Sequence, residues 1–126
     1  MKKLLALVLI AAATLTACSS GSGYTTQSAT EFAATIAADP AIVVLDVRTP
    51  GEFAEGHLPN AINIDAESGR FAKEITSLDS SKTYAVYCRS GRRSAIAADE
   101  MVKAGFTKIY NLDSGLLAWT GPLVTE

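Results

Sequence analysis

The sequence predicts an α/β domain built around a mainly parallel sheet, and three observations carry that reading. Two short apolar runs, Ile42-Val43-Val44-Leu45 and Tyr84-Ala85-Val86-Tyr87, have the length and continuity of strands covered on both faces. Helix-start signals fall between the strand candidates, at Ser28 with Glu31 and at Thr49 with Glu52. Strand and helix signals therefore alternate along the chain, which favours crossover connections and parallel pairing.

Taken in order, residues 24–26 are a first short strand candidate. Ser28 and Glu31 then fit a capping box, in which each side chain satisfies a free amide of the first helical turn. The run 42–45 is the second strand. Thr49 and Glu52 repeat the box, and Pro50 occupies the first helical position, where its missing amide proton costs nothing. Residues 61–64 and 84–87 are the next strand candidates. Over residues 94–104, Ala97, Ala98, Met101, Val102 and Ala104 share one helical arc, and Asp99, Glu100 and Lys103 share the other. Ile96 falls on the polar arc, and Gly105 is the expected terminator. Residues 108–112 are a last strand and 114–120 a short last helix.

The chain has 126 residues, a formal net charge of -2, two cysteines and one histidine. That is the length of one domain, and it excludes a polybasic nucleic-acid binder, a disulfide-stapled mini-protein and a multi-cysteine zinc site. Met1, Lys2 and Lys3 precede an apolar run over residues 4–13, shorter than the roughly 20 residues a helix needs to cross a bilayer. Residues 1–17 are thus expected to be a secretory signal, outside the fold. Leu15-Thr16-Ala17-Cys18 resembles the lipobox of bacterial lipoproteins, in which the cysteine becomes the lipidated first residue of the mature chain. Residues 18–23 would then be the lipidated Cys18 and a flexible tether, and residues 24–126 the folded domain. The resemblance implies a chain anchored in the cell envelope. Ser19, where an aspartate is absent, implies the periplasmic face of an outer membrane if the source has one. Acyl chains contribute about 0.8 kcal/mol per buried methylene and hold a protein on a membrane without a spanning helix.

With Cys18 lipidated, Cys88 is left as a solitary thiol in an oxidising compartment, where unpaired thiols are liable to damage. Its context supplies a reason. The run Cys88-Arg89-Ser90-Gly91-Arg92-Arg93-Ser94 lies where the strand ending at Tyr87 meets the helix beginning near Ser94. A tight loop there aims backbone amides inward, and the following helix adds its positive dipole end. Three arginines add fixed charge, and Gly91 permits unusual backbone angles. Each term favours thiolate over thiol, so Cys88 is expected to have a depressed pKa and to be nucleophilic near neutral pH.

The loop CRSGRR resembles the six-residue active-site loop of the rhodanese sulfurtransferases, and further motifs stand in register around it. Leu45-Asp46-Val47-Arg48 is similar to that family's aspartate–arginine strand end. Glu52 and Phe53, then Gly56-His57-Leu58-Pro59, resemble its next segment, and Asn111-Leu112 through Gly115 and Trp119 its final strand and helix. The resemblance covers roughly residues 24–123. It implies the rhodanese fold, a central five-stranded mainly parallel sheet with helices on both sides. Two departures are Asn60, where glycine commonly follows the proline, and Ser114, where a second glycine often precedes Gly115. Asparagine tolerates left-handed backbone angles, so the first change should preserve the turn.

The resemblance implies that Cys88 takes the outer sulfur of a small anionic donor such as thiosulfate and passes it to a thiol, or in assay to cyanide. No metal or organic cofactor is called for. Amides from Arg89 to Ser94 would stabilise the negative sulfur. By resemblance Arg93 orients the loop or binds the anionic donor, while Arg89 and Arg92 shape the entrance potential. Asp46 and Arg48 are expected to form a buried or half-buried pair supporting the loop. His57 lies in a turn that the resemblance marks as structural, and Trp119 reads as core. One rival is phosphatase or arsenate reductase-like chemistry, whose loops place an arginine six residues after the cysteine; here that position is Ser94. Another is a persulfide carrier or rhodanese-like binding module active only with a docked partner.

Overall fold

Five strands, β1 (Thr25–Gln27), β2 (Val43–Asp46), β3 (Ile62–Asn63), β4 (Tyr84–Tyr87) and β5 (Ile109–Leu112), pair in the order β1-β5-β4-β2-β3. They belong to a computed structural model that describes residues 23–126. The expected signal over residues 1–17, Cys18 and most of the tether lie outside the described residues. All four pairings are parallel, so the sheet is wholly rather than mainly parallel. The connections carry α1 (Ala29–Ala38), α2 (Pro50–Glu55), α3 (Phe71–Glu74) and α4 (Arg92–Lys103), with 3-10 turns over Ile75–Ser77 and Gly115–Ala118.

Every residue of β4 is buried, as its unbroken apolar run requires at the centre of a sheet covered on both faces. The two-residue period then sorts side chains between two cores. Tyr84, Val86 and, next in line, Cys88 pack with Phe71 and Ile75 beneath α3 and with Ala97, Ala98 and Met101 of α4. Ala85 and Tyr87 face the other way, onto Phe32 of α1, Leu58 and Leu112. Burying each large apolar side chain contributes about 1.5–3 kcal/mol, which is what fixes the strand's facing. Parity along β4 thereby puts Cys88 on the α4 side of the sheet.

Local signals hold with instructive exceptions. Thr49 and Glu52 form the full capping box, with Pro50 at the helix start. At α1 only half of the box forms: Ser28 accepts from the Glu31 amide at 3.2 Å, and no return bond joins the Glu31 carboxylate to the Ser28 amide. α4 starts at Arg92, two residues before the expected Ser94. Gly91 is left-handed, φ 96°, and turns the chain directly into the helix, so Arg92 and Arg93 form its first turn. Ile96, on the polar arc, is 51% exposed. The helix expected over residues 114–120 contracts to the 3-10 turn. The short helix α3 was not expected: it spans four residues, and Arg70 at its start makes no side-chain capping bond. Asn60 sits at φ 65°, the left-handed geometry its turn requires.

Candidate active site

Cys88, Arg89, Ser90 and Gly91 make the whole connection between β4 and α4. The segment after β5 pins this connection from the side. The Leu116 amide donates to the Cys88 carbonyl at 3.1 Å and the Leu117 amide to the Arg89 carbonyl at 3.2 Å. Contact is so close that a Cβ on Gly91 would stand 1.7 Å from the Asp113 carbonyl oxygen, and one on Gly115 would stand 2.5 Å from that of Cys88. Both glycines also have positive φ, so no side chain is tolerated at either point. In the sequence Gly115 was only part of a matching pattern; its task as the floor against the cysteine loop is visible only once β4 and β5 are neighbours.

The sulfur sits inside this turn. The Gly91 amide donates to Cys88 Sγ at 3.0 Å, and Ser94 Oγ lies 3.4 Å from Sγ and 3.2 Å from the Gly91 carbonyl: it accepts from the neutral thiol while donating to that carbonyl, and its proton turns to Sγ when the sulfur is thiolate. Cys88 and Ser94 are both fully buried. Burial alone raises the thiol pKa. The Ser94 hydroxyl and the amides of Ser94, Gly91 and Ser90 more than offset it, so Cys88 lies below the ordinary thiol value. The direction is the one expected; of the causes expected for it the inward amides are among the main ones, joined by the Ser94 hydroxyl, while the arginine charges are not.

Those arginines divide sharply. Arg93 donates two hydrogen bonds to Glu52, Nη1 to Oε1 at 2.7 Å and Nη2 to Oε2 at 3.0 Å. These bonds hold the Glu52 carboxyl down at about 2 and push Arg93 above its ordinary value, with smaller contributions on Arg93 from the charges of Cys88 and Glu67. The expectation that Arg93 orients the loop or binds an anionic donor is thus narrowed: its guanidinium is occupied, and orientation is what the geometry supports. Arg89 and Arg92 are exposed, and their side chains make no hydrogen bond or ion pair among the described residues. Glu52 was missed as a site residue. Its capping-box role gave it a sufficient local explanation, and nothing local points to a partner in α4.

Asp46 and Arg48 form the expected buried pair. Arg48 Nε lies 3.1 and 3.0 Å from the two Asp46 oxygens and Nη2 lies 2.7 Å from Oδ2. The pair's other contacts correct its assigned task. Arg48 Nη2 donates to the Gly56 carbonyl at 2.6 Å, and the guanidinium lies 5.7 Å from the centre of the Tyr87 ring. Among the described residues no hydrogen bond joins the pair's side chains to residues 88–94, so what it holds directly is the turn after α2. His57 belongs to the same turn. It stacks on Phe53 at 3.6 Å and its Nδ1 lies 2.8 Å from the Phe53 carbonyl, an acceptor, so the proton is on Nδ1. Trp119 is half-buried and packs edge-on against Phe32.

This arrangement places one cysteine sulfur among hydrogen-bond donors at the carboxyl end of a parallel sheet. Residues 28–122 match the rhodanese-like domain family. Over 77 residues the chain is 35% identical to the thiosulfate sulfurtransferase GlpE of Pseudomonas syringae, covering 61% of this chain and 71% of that one. Bacillus subtilis YrkF, named as a proposed sulfur carrier protein, is 34% identical over 90 residues, 71% of this chain; the match spans about half, 48%, of YrkF. The crystal structure of a rhodanese-related protein from Thermoplasma volcanium superposes with a TM-score of 0.71 at 31% identity, covering 82% of this chain and 100% of that one.

Proposed function

This chain belongs to the rhodanese-like family, and from that premise we propose that it moves sulfane sulfur from a small anionic donor such as thiosulfate, through a persulfide on Cys88, to a thiol. The observation that carries the reading is the setting of the buried Cys88 sulfur, which accepts from the Gly91 amide at 3.0 Å and lies 3.4 Å from the Ser94 hydroxyl, contacts that favour its thiolate. The thiolate attacks the outer sulfur of thiosulfate. A sulfur–sulfur bond forms on Cys88, the donor's sulfur–sulfur bond breaks, and its electron pair leaves with sulfite. An acceptor nucleophile then takes the outer sulfur and returns Cys88 to thiolate. The donors that hold the thiolate also hold the persulfide anion, much as an oxyanion hole holds developing charge.

The experiment is direct. The purified chain is incubated with thiosulfate, its mass measured, and cyanide then added. The expected results are a gain of one sulfur atom, about 32 Da, on Cys88 and release of thiocyanate in a ping-pong pattern. Absence of both sinks the reading, and a Cys88→Ser variant with full activity would show the nucleophile to be misassigned.

A second reading is favoured by one observation, the complete burial of Cys88: a persulfide carrier or binding module that turns over only when a partner docks. It predicts the mass gain without thiocyanate. Phosphatase or arsenate reductase-like chemistry is disfavoured, because the sixth residue after the cysteine is Ser94, hydrogen-bonded to the sulfur, and the preceding Arg93 is committed to Glu52. Anchoring in the cell envelope through Cys18 is a separate proposal that rests on residues 1–18 alone.

A further inference from the structure

A groove of about 430 Å³ opens beside the cysteine loop, lined by Arg48, Glu52, Glu55, Arg89, Leu116 and Leu117. It shares a wall with the loop, because the amides of Leu116 and Leu117 are the ones that hold the Cys88 and Arg89 carbonyls. Two of its four charged residues are already spent. Arg48 is committed to Asp46 and the Gly56 carbonyl, and Glu52 to Arg93 and Thr49. The side chains of Arg89 and Glu55 have no hydrogen bond or ion pair among the described residues, and both residues are exposed. Leu117 is 68% exposed, the largest exposure among the large apolar side chains of the described residues. The groove therefore offers one free cation, one free carboxylate and an apolar wall, next to the residue that carries the sulfur. Its volume lies within the roughly 300–1,000 Å³ of small-molecule sites.

We propose that this groove is the acceptor subsite and that it selects low-molecular-weight thiols bearing both an ammonium and a carboxylate group, that is, amino-acid thiols. The inference rests on the sulfur-transfer reading and names its acceptor class. Arg89 pairs with the acceptor carboxylate, Glu55 with its ammonium, and the Leu117 side chain covers the carbon skeleton. The acceptor thiol gives its proton to solvent, and its thiolate attacks the outer sulfur of the Cys88 persulfide. One sulfur–sulfur bond forms on the acceptor, the one on Cys88 breaks, and the electron pair returns to Cys88. No oxidant or reductant enters.

The test uses the full chain with a preformed Cys88 persulfide, so that donor binding plays no part, and four acceptors compared at equal thiolate concentration. L-cysteine carries both groups, cysteamine only the ammonium, 3-mercaptopropionate only the carboxylate and 2-mercaptoethanol neither. Each matched charge is expected to raise the second-order transfer rate by about fivefold, the size of one exposed ionic contact. Glu55→Gln should remove that factor for cysteine and cysteamine alone. Arg89→Gln should remove it for cysteine and 3-mercaptopropionate alone. Four indistinguishable acceptors, or variants that slow all four equally, overturn the proposal. Cyanide, which carries neither group, separates the two levels: intact thiocyanate formation with indistinguishable thiols sinks only the acceptor subsite, whereas no persulfide and no thiocyanate sinks the sulfur-transfer reading and the subsite with it.

Discussion

Glu52 and Arg93 stand 41 residues apart and are joined by two hydrogen bonds, one of 2.7 Å and one of 3.0 Å, that tie the first turn of α2 to the first turn of α4. One carboxylate thus serves two elements: it closes the capping box with Thr49 and holds the arginine beside the cysteine loop. Because the same first turn of α4 carries Ser94 and follows directly on Gly91, the pair sets the positions of groups that donate to the sulfur.

Acid should release this pair. The Glu52 carboxyl sits at about 2 against an ordinary 4.5, so its contribution is fully present above 4.5 and is lost as pH falls through about 2. Both partners are partly exposed, so solvent screening leaves the pair worth about 1 kcal/mol. Urea unfolding at neutral and at low pH should show a steeper loss of stability for the wild type than for Glu52→Gln, which keeps the capping hydrogen bonds. Equal losses would mean that the pair adds nothing.

Ser94 is the largest of the influences that lower the Cys88 pKa. Alkylation of Cys88 by iodoacetamide, followed against pH, should rise through a midpoint below the ordinary thiol value. In Ser94→Ala that midpoint should move upward, toward the ordinary value, since burial then acts with less opposition. An unmoved midpoint would assign the shift to the amides alone.

Gly91→Ala should cost about 3 kcal/mol or more, combining left-handed strain with a clash against the Asp113 carbonyl that neither backbone can relieve cheaply. Chemical denaturation measures it. Gly69→Ala is the control, because it too has positive φ but no atom within 4 Å of the added carbon, and it should cost only the strain, about 1 kcal/mol. Equal costs would contradict the close approach.

Asp46→Ala strands a buried guanidinium and should destabilise the fold by about 3–5 kcal/mol. Replacing both Asp46 and Arg48 by apolar residues of similar volume should recover much of that loss. No recovery would mean that the pair's bonds to Gly56 matter more than charge balance.

Cys18→Ser should release the chain from membranes in fractionated cells that export it, because no acyl chains would then be attached. Continued sedimentation with membranes would contradict lipidation at Cys18.

Much of the fold was legible because burial writes itself into sequence. The run 84–87 is apolar at every position, and only a strand covered on both faces needs that. Thr49, Pro50 and Glu52 announce α2 through local bonds alone. The start of α4 was misplaced by two residues because its N-cap, Gly91, carries no side chain to signal a cap. Within the site, Cys88 and the loop stood out by their chemistry, whereas Glu52 and Gly115 did not, since each acts on residues far away in the chain.

Residue order was enough to show an α/β architecture with a mainly parallel sheet, the position of the cysteine loop between a strand and a helix, and the pairing of Asp46 with Arg48. Which arginine is spent and which is free among the described residues follows from the packing of distant elements. Charge and propensity are properties of single residues and their near neighbours, but the neutralisation of Arg93 by Glu52 and the freedom of Arg89 depend on which elements the sheet order brings side by side. The strand order puts β2 beside β4, so α2 and α4 meet at the same end of the sheet. That adjacency turns a run of three arginines into one positioning residue and two open charges.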